Sequence, residues 1–302
     1  MPPYAKDYQS ALQNPARVFA YPDLRSALFA VDSWGLPFAI TGSRAIVFKV
    51  MIDEKDYALR CYVHSAGIAC RERYIALSKV IMRRRLAGIF PAYRWRDDAM
   101  RLNGETWPVL QMEWIEGLNL DQHVGYLALA SDSYALGRIA ERWRDLIARL
   151  QQAGVAHGDL QHGNILLDQH GRLRLVDLDS VWVPEVADQP PPEIGHDNYR
   201  QPGRTVDEGW GQWADSFSAL VIYLSLVALA ADPELWPRFY NGDNLLFERR
   251  DFRAPFDTGI WKALSRIADP EIDRLGMILR DCCAPGWVAT GSLAEMVSGS
   301  SR

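Results

Sequence analysis

The sequence predicts an α+β fold in which a strand-rich first part is followed by a helical second part. Two strand-like runs, IVFKVMI and YALRCY, flank the polar turn DEKD, a pattern typical of a β-hairpin. After residue 131, apolar residues recur at steps of three and four, as they do along an amphipathic helix. Beyond that helix, the run AHGDLQHGNILL crowds four polar side chains into eight positions before an apolar strand. The two halves therefore differ in character, and a polar loop lies near the start of the second.

The composition excludes several classes of protein. The chain has 302 residues, of which 48% are hydrophobic and 24% charged, so it can bury a large core. Its formal charge of −5 gives no general attraction to nucleic acid or to an anionic membrane, and we expect neither as a partner. The longest apolar run, Phe217 to Ala231, is too short for a membrane span and predicts a buried core helix.

The termini and cysteines predict a cytoplasmic protein. The start MPPYAKDYQS has no apolar signal core, so we expect no secretion. None of the four cysteines belongs to a C-x-x-C pair, which predicts reduced thiols and no structural zinc.

The first part divides at a few sequence features. We expect residues 1–35 to be an N-terminal extension packed on a strand-rich lobe of residues 36–115. After the hairpin, this lobe should contain a helix from about residue 69 to 86 and further strands ending at PVLQMEWI. Residues 116–119 (EGLN) are predicted to be a hinge or linker.

The second part, residues 120–292, is predicted to be mostly helical. Ser131 and Asp132 can cap a helix that Gly154 ends. Seven apolar positions define its buried face: Leu136, Ile139, Ala140, Trp143, Leu146, Ile147 and Leu150. Two short strands, ILLD and RLRLVDL, should meet at the turn Gln169-His170-Gly171. Residues 184–195 are proline-rich and predict an extended loop, and residues 293–302 a loose tail.

Three oxygen-bearing side chains predict a phosphoryl transfer site. Asp159 and Asn164 are five residues apart, and Asp177 ends a predicted strand thirteen residues later. Such a reaction needs a carboxylate to accept a hydroxyl proton, a role that Asp159 can fill. It also needs hard oxygen ligands for Mg²⁺, which Asn164 and Asp177 can supply. Asp179 is a further candidate ligand.

The order of these residues resembles the protein kinase superfamily. HGDLQHGN resembles the kinase catalytic loop, and Asp177-Leu178-Asp179 resembles the D-F-G triplet. GHDNYRQPG (residues 195–203) is similar to the end of the activation segment. Asp215 matches the buried aspartate that braces the catalytic loop in that family. The resemblance implies a bilobal protein kinase-like fold that binds ATP and Mg²⁺ between the lobes.

The first lobe carries the matching nucleotide-binding motifs in weaker form. ITGSRAIV resembles a Gly-rich loop that keeps Gly42 and Val47. YALR is similar to V-A-I-K and places Arg60 at the lysine position, with Glu72 as its expected helix partner. Met112-Glu113-Trp114 matches the segment that takes the adenine edge.

The resemblance extends over roughly residues 36–285 and is greatest to a bacterial group of kinase-like proteins. That group is associated with von Willebrand A-domain and phosphatase partners. The resemblance therefore implies a Ser/Thr protein kinase that uses ATP and Mg²⁺, with a protein substrate and possible partners of those two kinds.

Several departures bear on activity. Arg60 keeps the charge of the lysine but is bulkier. Gln161 replaces the catalytic-loop lysine and removes a cation near the transferring phosphate. Gly158 replaces the arginine that often pairs with a phosphorylated activation loop, and residues 181–203 contain no Ser or Thr. We therefore expect activity that does not depend on activation-loop phosphorylation.

Two alternatives follow from the same departures. The first is a small-molecule phosphotransferase of the aminoglycoside or choline kinase type. Enzymes of this type also lack the catalytic-loop lysine that Gln161 replaces here. The second is a pseudokinase scaffold that binds nucleotide without transferring phosphate. Separately, the predicted helix ends in Arg83-Arg84-Arg85. We interpret these arginines as solvated charges that complement the helix dipole rather than as a docking patch for an acidic partner.

Overall fold

The chain has a mixed α+β fold, as the sequence predicts. A computed structural model provides the coordinates. It describes residues 3–42, 44–63, 68–191, 193–205 and 209–298. Within these residues the contacts form two compact units. The first comprises Met1–Tyr74 and Pro91–Ile115, and the second Ile75–Phe90 and Glu116–Arg302.

The first unit is built on an antiparallel sheet. Its strands are β1 (Leu28–Phe29), β2 (Ala39–Thr41), β3 (Ala45–Ile52), β4 (Lys55–Tyr62), β5 (Tyr93–Leu102) and β6 (Glu105–Glu113). They run in the order β1-β3-β4-β6-β5, and β2 also pairs with β3. Its helices are α1 (Ala5–Ala11), α2 (Pro15–Val18), α3 (Pro22–Arg25) and α4 (Ile68–Arg84), of which α4 continues into the second unit.

The predicted hairpin is confirmed, with a tighter turn than DEKD suggests. Asp53 and Glu54 both have positive φ, 48° and 62°, as a two-residue type I′ turn requires. Lys55 already belongs to β4. Alternate residues of β3, such as Phe48 and Val50, are fully buried, so one face of the sheet lies on a core.

The N-terminal segment supplies the other side of that core. Tyr8, Leu12, Phe19 and Leu24 cluster with the buried residues of β3. The Tyr8 hydroxyl also donates to the Tyr62 carbonyl at 2.8 Å. These four side chains pack the described part of the N-terminal segment on this sheet.

The second unit combines a small sheet with helices. The three strands β7 (Gly117–Asn119), β8 (Ile165–Asp168) and β9 (Leu173–Leu175) pair antiparallel in that order. The helices are α5 (Leu120–Leu129), α6 (Ser133–Gln152), α7 (Ser216–Ala231), α8 (Leu235–Phe239), α9 (Gly259–Ile267), α10 (Pro270–Cys282) and α11 (Leu293–Ser298).

Helix α6 confirms the predicted pattern. All seven apolar positions of its predicted face are buried. Asp132 caps it, since its carboxylate accepts the Ala135 N–H at 2.9 Å. The Trp143 indole donates to the Ala219 carbonyl of α7 at 3.0 Å, which links the two longest helices of this unit.

The apolar run from Phe217 is a core helix. Thirteen residues of α7 are buried, so it is covered on nearly all sides. In the described part of the chain, no helix is long and apolar enough to span a bilayer.

Two predicted segments contain regular structure. The boundary between the two units falls between Ile115 and Glu116, at the start of the predicted hinge or linker. Within that segment Gly117–Asn119 form strand β7, because their backbone pairs with Leu166, Leu167 and Asp168. The tail predicted to be loose from residue 293 begins with helix α11, whose Leu293 is buried and donates its N–H to the Gln151 side chain. Residues 299–302 (GSSR), part of the same prediction, lie outside the described residues.

Candidate functional site

The polar loop that precedes β8 is braced by Asp215. Its carboxylate accepts the backbone N–H of His157 at one oxygen and that of Gly158, at 2.8 Å, at the other. Asp215 is only 4% exposed. Burial raises the pKa of its carboxyl, while His157, the two N–H groups and Arg204 act in the opposite direction. The expected role of Asp215 as a buried brace of this loop is confirmed.

His157 ties the loop to the residue before Asp177. Its ring is fully buried, and Nε2 lies 2.9 Å from the Val176 carbonyl. Because a carbonyl only accepts, Nε2 carries the proton. The Val176 N–H in turn donates to the Asn164 carbonyl at 3.0 Å. His157 is thus a packed residue that holds the loop.

Asp159 is held in one orientation by two donors. Asn164 Nδ2 donates to Asp159 Oδ2 at 2.9 Å and to the Asp159 carbonyl at 2.9 Å. The His196 N–H donates to Asp159 Oδ1 at 2.9 Å. Both neighbours of Asn164 Nδ2 are acceptors, so the amide oxygen of Asn164 faces away from Asp159. The carboxylate is half-buried, and within the described residues no Lys, Arg or His side chain forms an ion pair with it.

Asp177 has a strained backbone. Its φ and ψ are 61° and 71°, in the left-handed region that residues other than glycine rarely adopt. It follows β9, and residues Ile165 and Leu175 pair directly, so the ends of β8 and β9 that carry Asn164 and Asp177 lie together. Such strain persists where the surrounding structure fixes it and is frequent at functional sites. Asp179, the further candidate ligand, is buried in the short turn Leu178–Ser180.

The chain after Asp177 is packed directly on the polar loop. Ala156 and Trp182 exchange two backbone hydrogen bonds of 3.1 and 2.8 Å. Gly158 has a φ of +84°, and a Cβ atom there would lie 2.0 Å from the Ser180 carbonyl oxygen. Only glycine fits this contact. In the sequence, Gly158 replaces an arginine that would pair with a phosphorylated loop. The contact with Ser180 adds a steric reason why position 158 holds no larger residue.

Residues 195–203 reach Asp159 from another side. Gly195 approaches closely, since a Cβ atom there would be 3.3 Å from Asp159 Oδ1. The His196 ring accepts the Asn198 N–H through Nδ1 and pairs with Asp243 through Nε2 at 3.0 Å. Tyr199 is buried, and its hydroxyl lies 2.7 Å from His162 Nδ1. Tyr199 therefore has a structural role in this segment.

The sequence did not indicate the groups that support this segment. Asp243 accepts from the side chains of both His196 and Asn198. It lies 47 and 45 residues away from them along the chain. His162 is buried against Tyr199.

His162 predicts a pH dependence of stability. Burial lowers its pKa, opposed by Asp121 and assisted by His196. The folded protein therefore binds this proton less readily than the unfolded chain, so stability is lost as pH falls below the ordinary histidine pKa of about 6.5. We expect the thermal midpoint of His162→Asn to fall less steeply than that of the parent between pH 7.5 and 5.

The control for this measurement is His170→Asn, because His170 is exposed in the turn between β8 and β9. It should keep the parent's slope. Equal slopes in the parent and in both variants would mean that His162 titrates alike in the folded and unfolded states.

In the first unit, two of the predicted nucleotide-binding residues, Val47 and Arg60, lie on one face of the sheet. Val47, Arg60 and Leu110 are direct cross-strand neighbours on β3, β4 and β6. Arg60 is 7% exposed, and its guanidinium lies 5.9 Å from the centre of the Tyr62 ring. Val47 is half-buried. The face opposite the N-terminal core thus carries a buried cation beside apolar residues.

The remaining predicted residues surround that face. Gly42 begins the turn between β2 and β3, and its N–H donates to the Ala45 carbonyl at 2.9 Å. Ser43 of the resembled Gly-rich loop lies outside the described residues. Glu72 lies on α4, whose next turn packs Tyr74 against Tyr93 of β5.

The segment Met112-Glu113-Trp114 ends β6. Met112 is buried opposite Ala58. The Glu113 backbone N–H and carboxylate both bond to Ala92, so its side chain has a structural task in this unit. The Lys49 ammonium nitrogen lies 4.9 Å from the centre of the Trp114 ring.

The donor set of the second unit fits Mg²⁺. In the described part of the chain, no donor bonds to the amide oxygen of Asn164, and amide and carboxylate oxygens are the ligands that this ion prefers. The same residues contain no cluster of three or more His, Cys, Asp or Glu that could hold a metal. Asn164 and Asp177 would therefore share the ion with phosphate and water rather than enclose it.

Comparison with known proteins finds no family model that matches the sequence and no curated protein that is similar to it. The assignment of a function therefore depends on the residues of this chain.

Proposed function

We propose that the protein is an ATP- and Mg²⁺-dependent phosphotransferase with a bilobal protein kinase-like fold, and that it transfers the γ-phosphoryl group to a Ser or Thr hydroxyl of a protein. The order of the elements supports this proposal. A hairpin with Gly42, a strand with Arg60 and a helix with Glu72 precede the loop of Asp159, the Asp177 turn and helix α7.

The observation that carries the proposal is the environment of Asp159. Two hydrogen bonds fix its carboxylate, and in the described residues no cation forms an ion pair with it. A half-buried carboxylate of this kind can orient a hydroxyl group and accept its proton. Asp159 is accordingly the proposed base.

The proposal assigns the other residues to the nucleotide and its metal. Asn164 and Asp177 would hold Mg²⁺, which when bound neutralises charge on the phosphates. Asp179, buried in the next turn, is a third candidate ligand. Arg60 would grip phosphate through its forked donors, and Glu72 would orient it. Gly42, Val47 and the segment 112–114 would contact the rest of the nucleotide.

The proposed substrate is a protein, as the resemblance of residues 195–203 to a kinase activation segment implies. The fixed position of this segment supports that choice, since it bonds to Asp159 on one side and to Asp243 on the other. Von Willebrand A-domain and phosphatase proteins remain the proposed partners, and the cytoplasm the proposed location.

The proposed activity does not require phosphorylation of the segment after Asp177. Backbone pairing of Ala156 with Trp182 and the contact of Gly158 with Ser180 support this, because neither depends on charge. Mass spectrometry of active protein should find no phosphate in residues 177–203 that activity requires.

A nucleotide-binding scaffold is the second candidate. Gln161 is half-buried in the same loop and offers an amide where phosphoryl transfer benefits from a positive charge. Such a protein would bind ATP and Mg²⁺ without measurable transfer.

Incubation with γ-labelled ATP and Mg²⁺ tests the proposal. The parent protein is assayed alone, with generic protein acceptors and with aminoglycosides or choline. The expected result is that label appears on protein, and that no label appears when Mg²⁺ is chelated during the incubation. Label on a small molecule would identify the other phosphotransferase class, and nucleotide binding without label would identify the scaffold.

A further inference from the structure

A basic groove lies on the second unit, away from Asp159, Asn164 and Asp177. It has a volume of about 440 Å³ and opens to solvent between residues 87–89, helix α6 and the turn that joins β8 to β9. Its cationic lining consists of Arg142, Arg149 and Arg172, and His170 lies among them. Asp145 is the single acidic residue of the lining. The groove is thus positively charged, although the formal net charge of the whole chain is −5.

Its arginines are available for a ligand. Arg142 donates to the Gly171 carbonyl at 2.9 Å. Within the described residues, neither Arg142 nor Arg149 forms an ion pair with a carboxylate, and both are exposed. Arg172 binds Asp168 at 2.8 Å, but its side chain is still 57% exposed. Charges that no neighbouring carboxylate neutralises can attract an anionic partner.

The spacing of these charges suits an extended ligand. Arg142 and Arg149 are seven residues apart on α6, which corresponds to about 10.5 Å along a helix. One phosphate group cannot reach both, whereas a peptide with several carboxylates can.

The floor of the groove distinguishes a peptide from a nucleic acid. Ile89, Leu146 and Leu173 line it together with the arginines, and each is buried. An apolar floor with a basic rim fits acidic side chains interspersed with aliphatic ones. Among the described residues that line the groove, none is Phe, Tyr or Trp, so the lining lacks the large aromatic side chains on which bases usually stack.

The groove lies at the other end of the β8–β9 hairpin from the candidate site. Asn164 and Asp177 adjoin one end of these strands, while Asp168, Gly171 and Arg172 form the turn at the opposite end. We propose that the groove docks an acidic, aliphatic-rich segment of a protein partner. Binding there goes beyond the proposed function and does not depend on phosphoryl transfer.

The arginine run at the end of α4 acquires a second role on this proposal. Arg84 and Arg85 are exposed and precede the lining residue Ala87 by three and two positions. The sequence favours solvated charges at the helix end; the groove adds a surface on which an acidic partner would meet them.

Fluorescence anisotropy tests the proposal with the full chain. The probe is a fluorescein-labelled peptide of Glu and Asp with Leu at every third position, and its partner probe replaces the acidic residues with Lys. The proteins are the parent, Arg142→Glu/Arg149→Glu, and the control Lys262→Glu/Arg266→Glu. The control replaces two exposed cations of α9 that are four residues apart. Because both double variants exchange two basic residues for Glu, their net charges are identical.

We expect the acidic probe to bind the parent and to be weakened by salt, since screening shortens the reach of exposed charges. The α6 variant should bind at least tenfold more weakly, and the α9 control within about twofold of the parent. Arg149→Glu alone, which removes no hydrogen bond within the described residues, should give part of the loss.

Asp159→Asn should bind the probe as the parent does, which separates this proposal from the proposed function. Absence of binding, or equal weakening by the α6 and α9 variants, would overturn the proposal. Tighter binding of a single-stranded oligonucleotide that the α6 variant abolishes would overturn it in favour of a nucleic-acid partner.

Discussion

Replacement of Asp159 by Asn is expected to lower the rate of phosphoryl transfer by about 100- to 10,000-fold, the usual contribution of a general base. The amide is nearly isosteric but cannot accept the proton of the attacking hydroxyl. Because Asp159 is not assigned to the nucleotide, ATP affinity should stay close to that of the parent. The measurements are label transfer at saturating ATP and, separately, nucleotide binding by fluorescence titration.

The matched control is Asp188→Asn. Asp188 is exposed, and this variant makes the same chemical change outside the site. It should transfer label at the parent's rate. If Asp159→Asn were as fast as this control, Asp159 could not be the base.

Replacement of Gly158 by Ala is expected to destabilise the second unit by about 2–5 kcal/mol. The left-handed backbone at a φ of +84° costs about 1–2 kcal/mol with a side chain. Overpacking adds about 1–3 kcal/mol, because the new methyl group would meet the Ser180 carbonyl oxygen. Since the same change separates the loop of Asp159 from the chain after Asp177, transfer should fall as well. Thermal and urea unfolding measure the first effect.

Gly203→Ala separates the two causes. Gly203 has a φ of +82°, but no atom of the described residues lies within 4 Å of the position that its Cβ atom would take. It should therefore show only the backbone cost. Equal losses of stability in both variants would mean that the contact with Ser180 relaxes without cost.

The regular elements of this fold are predictable from the sequence where burial imposes a period. Helix α6 repeats apolar residues over twenty positions, so its buried face could be identified residue by residue. Strand β7 has only three residues and no alternation that could indicate pairing. Helix α11 is similarly short, and a buried Leu293 that is bonded to Gln151 fixes its start, a contact across 142 positions.

The candidate site shows the same division. Asp159, Asn164 and Asp177 stand out because one loop and one hairpin bring them together, and β8 and β9 are adjacent in the sequence. The supports of His196 and Tyr199 come from Asp243 and His162, 47 and 37 positions away. Tertiary packing selects those partners, so no local pattern announces them. The Gly158–Ser180 contact likewise needs coordinates, since glycine alone does not reveal what lies against it.

The central claim is that Asn164 and Asp177 hold a divalent ion on the phosphates of a nucleotide beside Asp159. Anomalous diffraction from crystals grown with Mn²⁺ and a non-hydrolysable ATP analogue tests it most directly. The account predicts an anomalous peak within coordination distance of the Asn164 amide oxygen, the Asp177 carboxylate and the terminal phosphates. A nucleotide bound elsewhere, or a metal that contacts neither side chain, would contradict it.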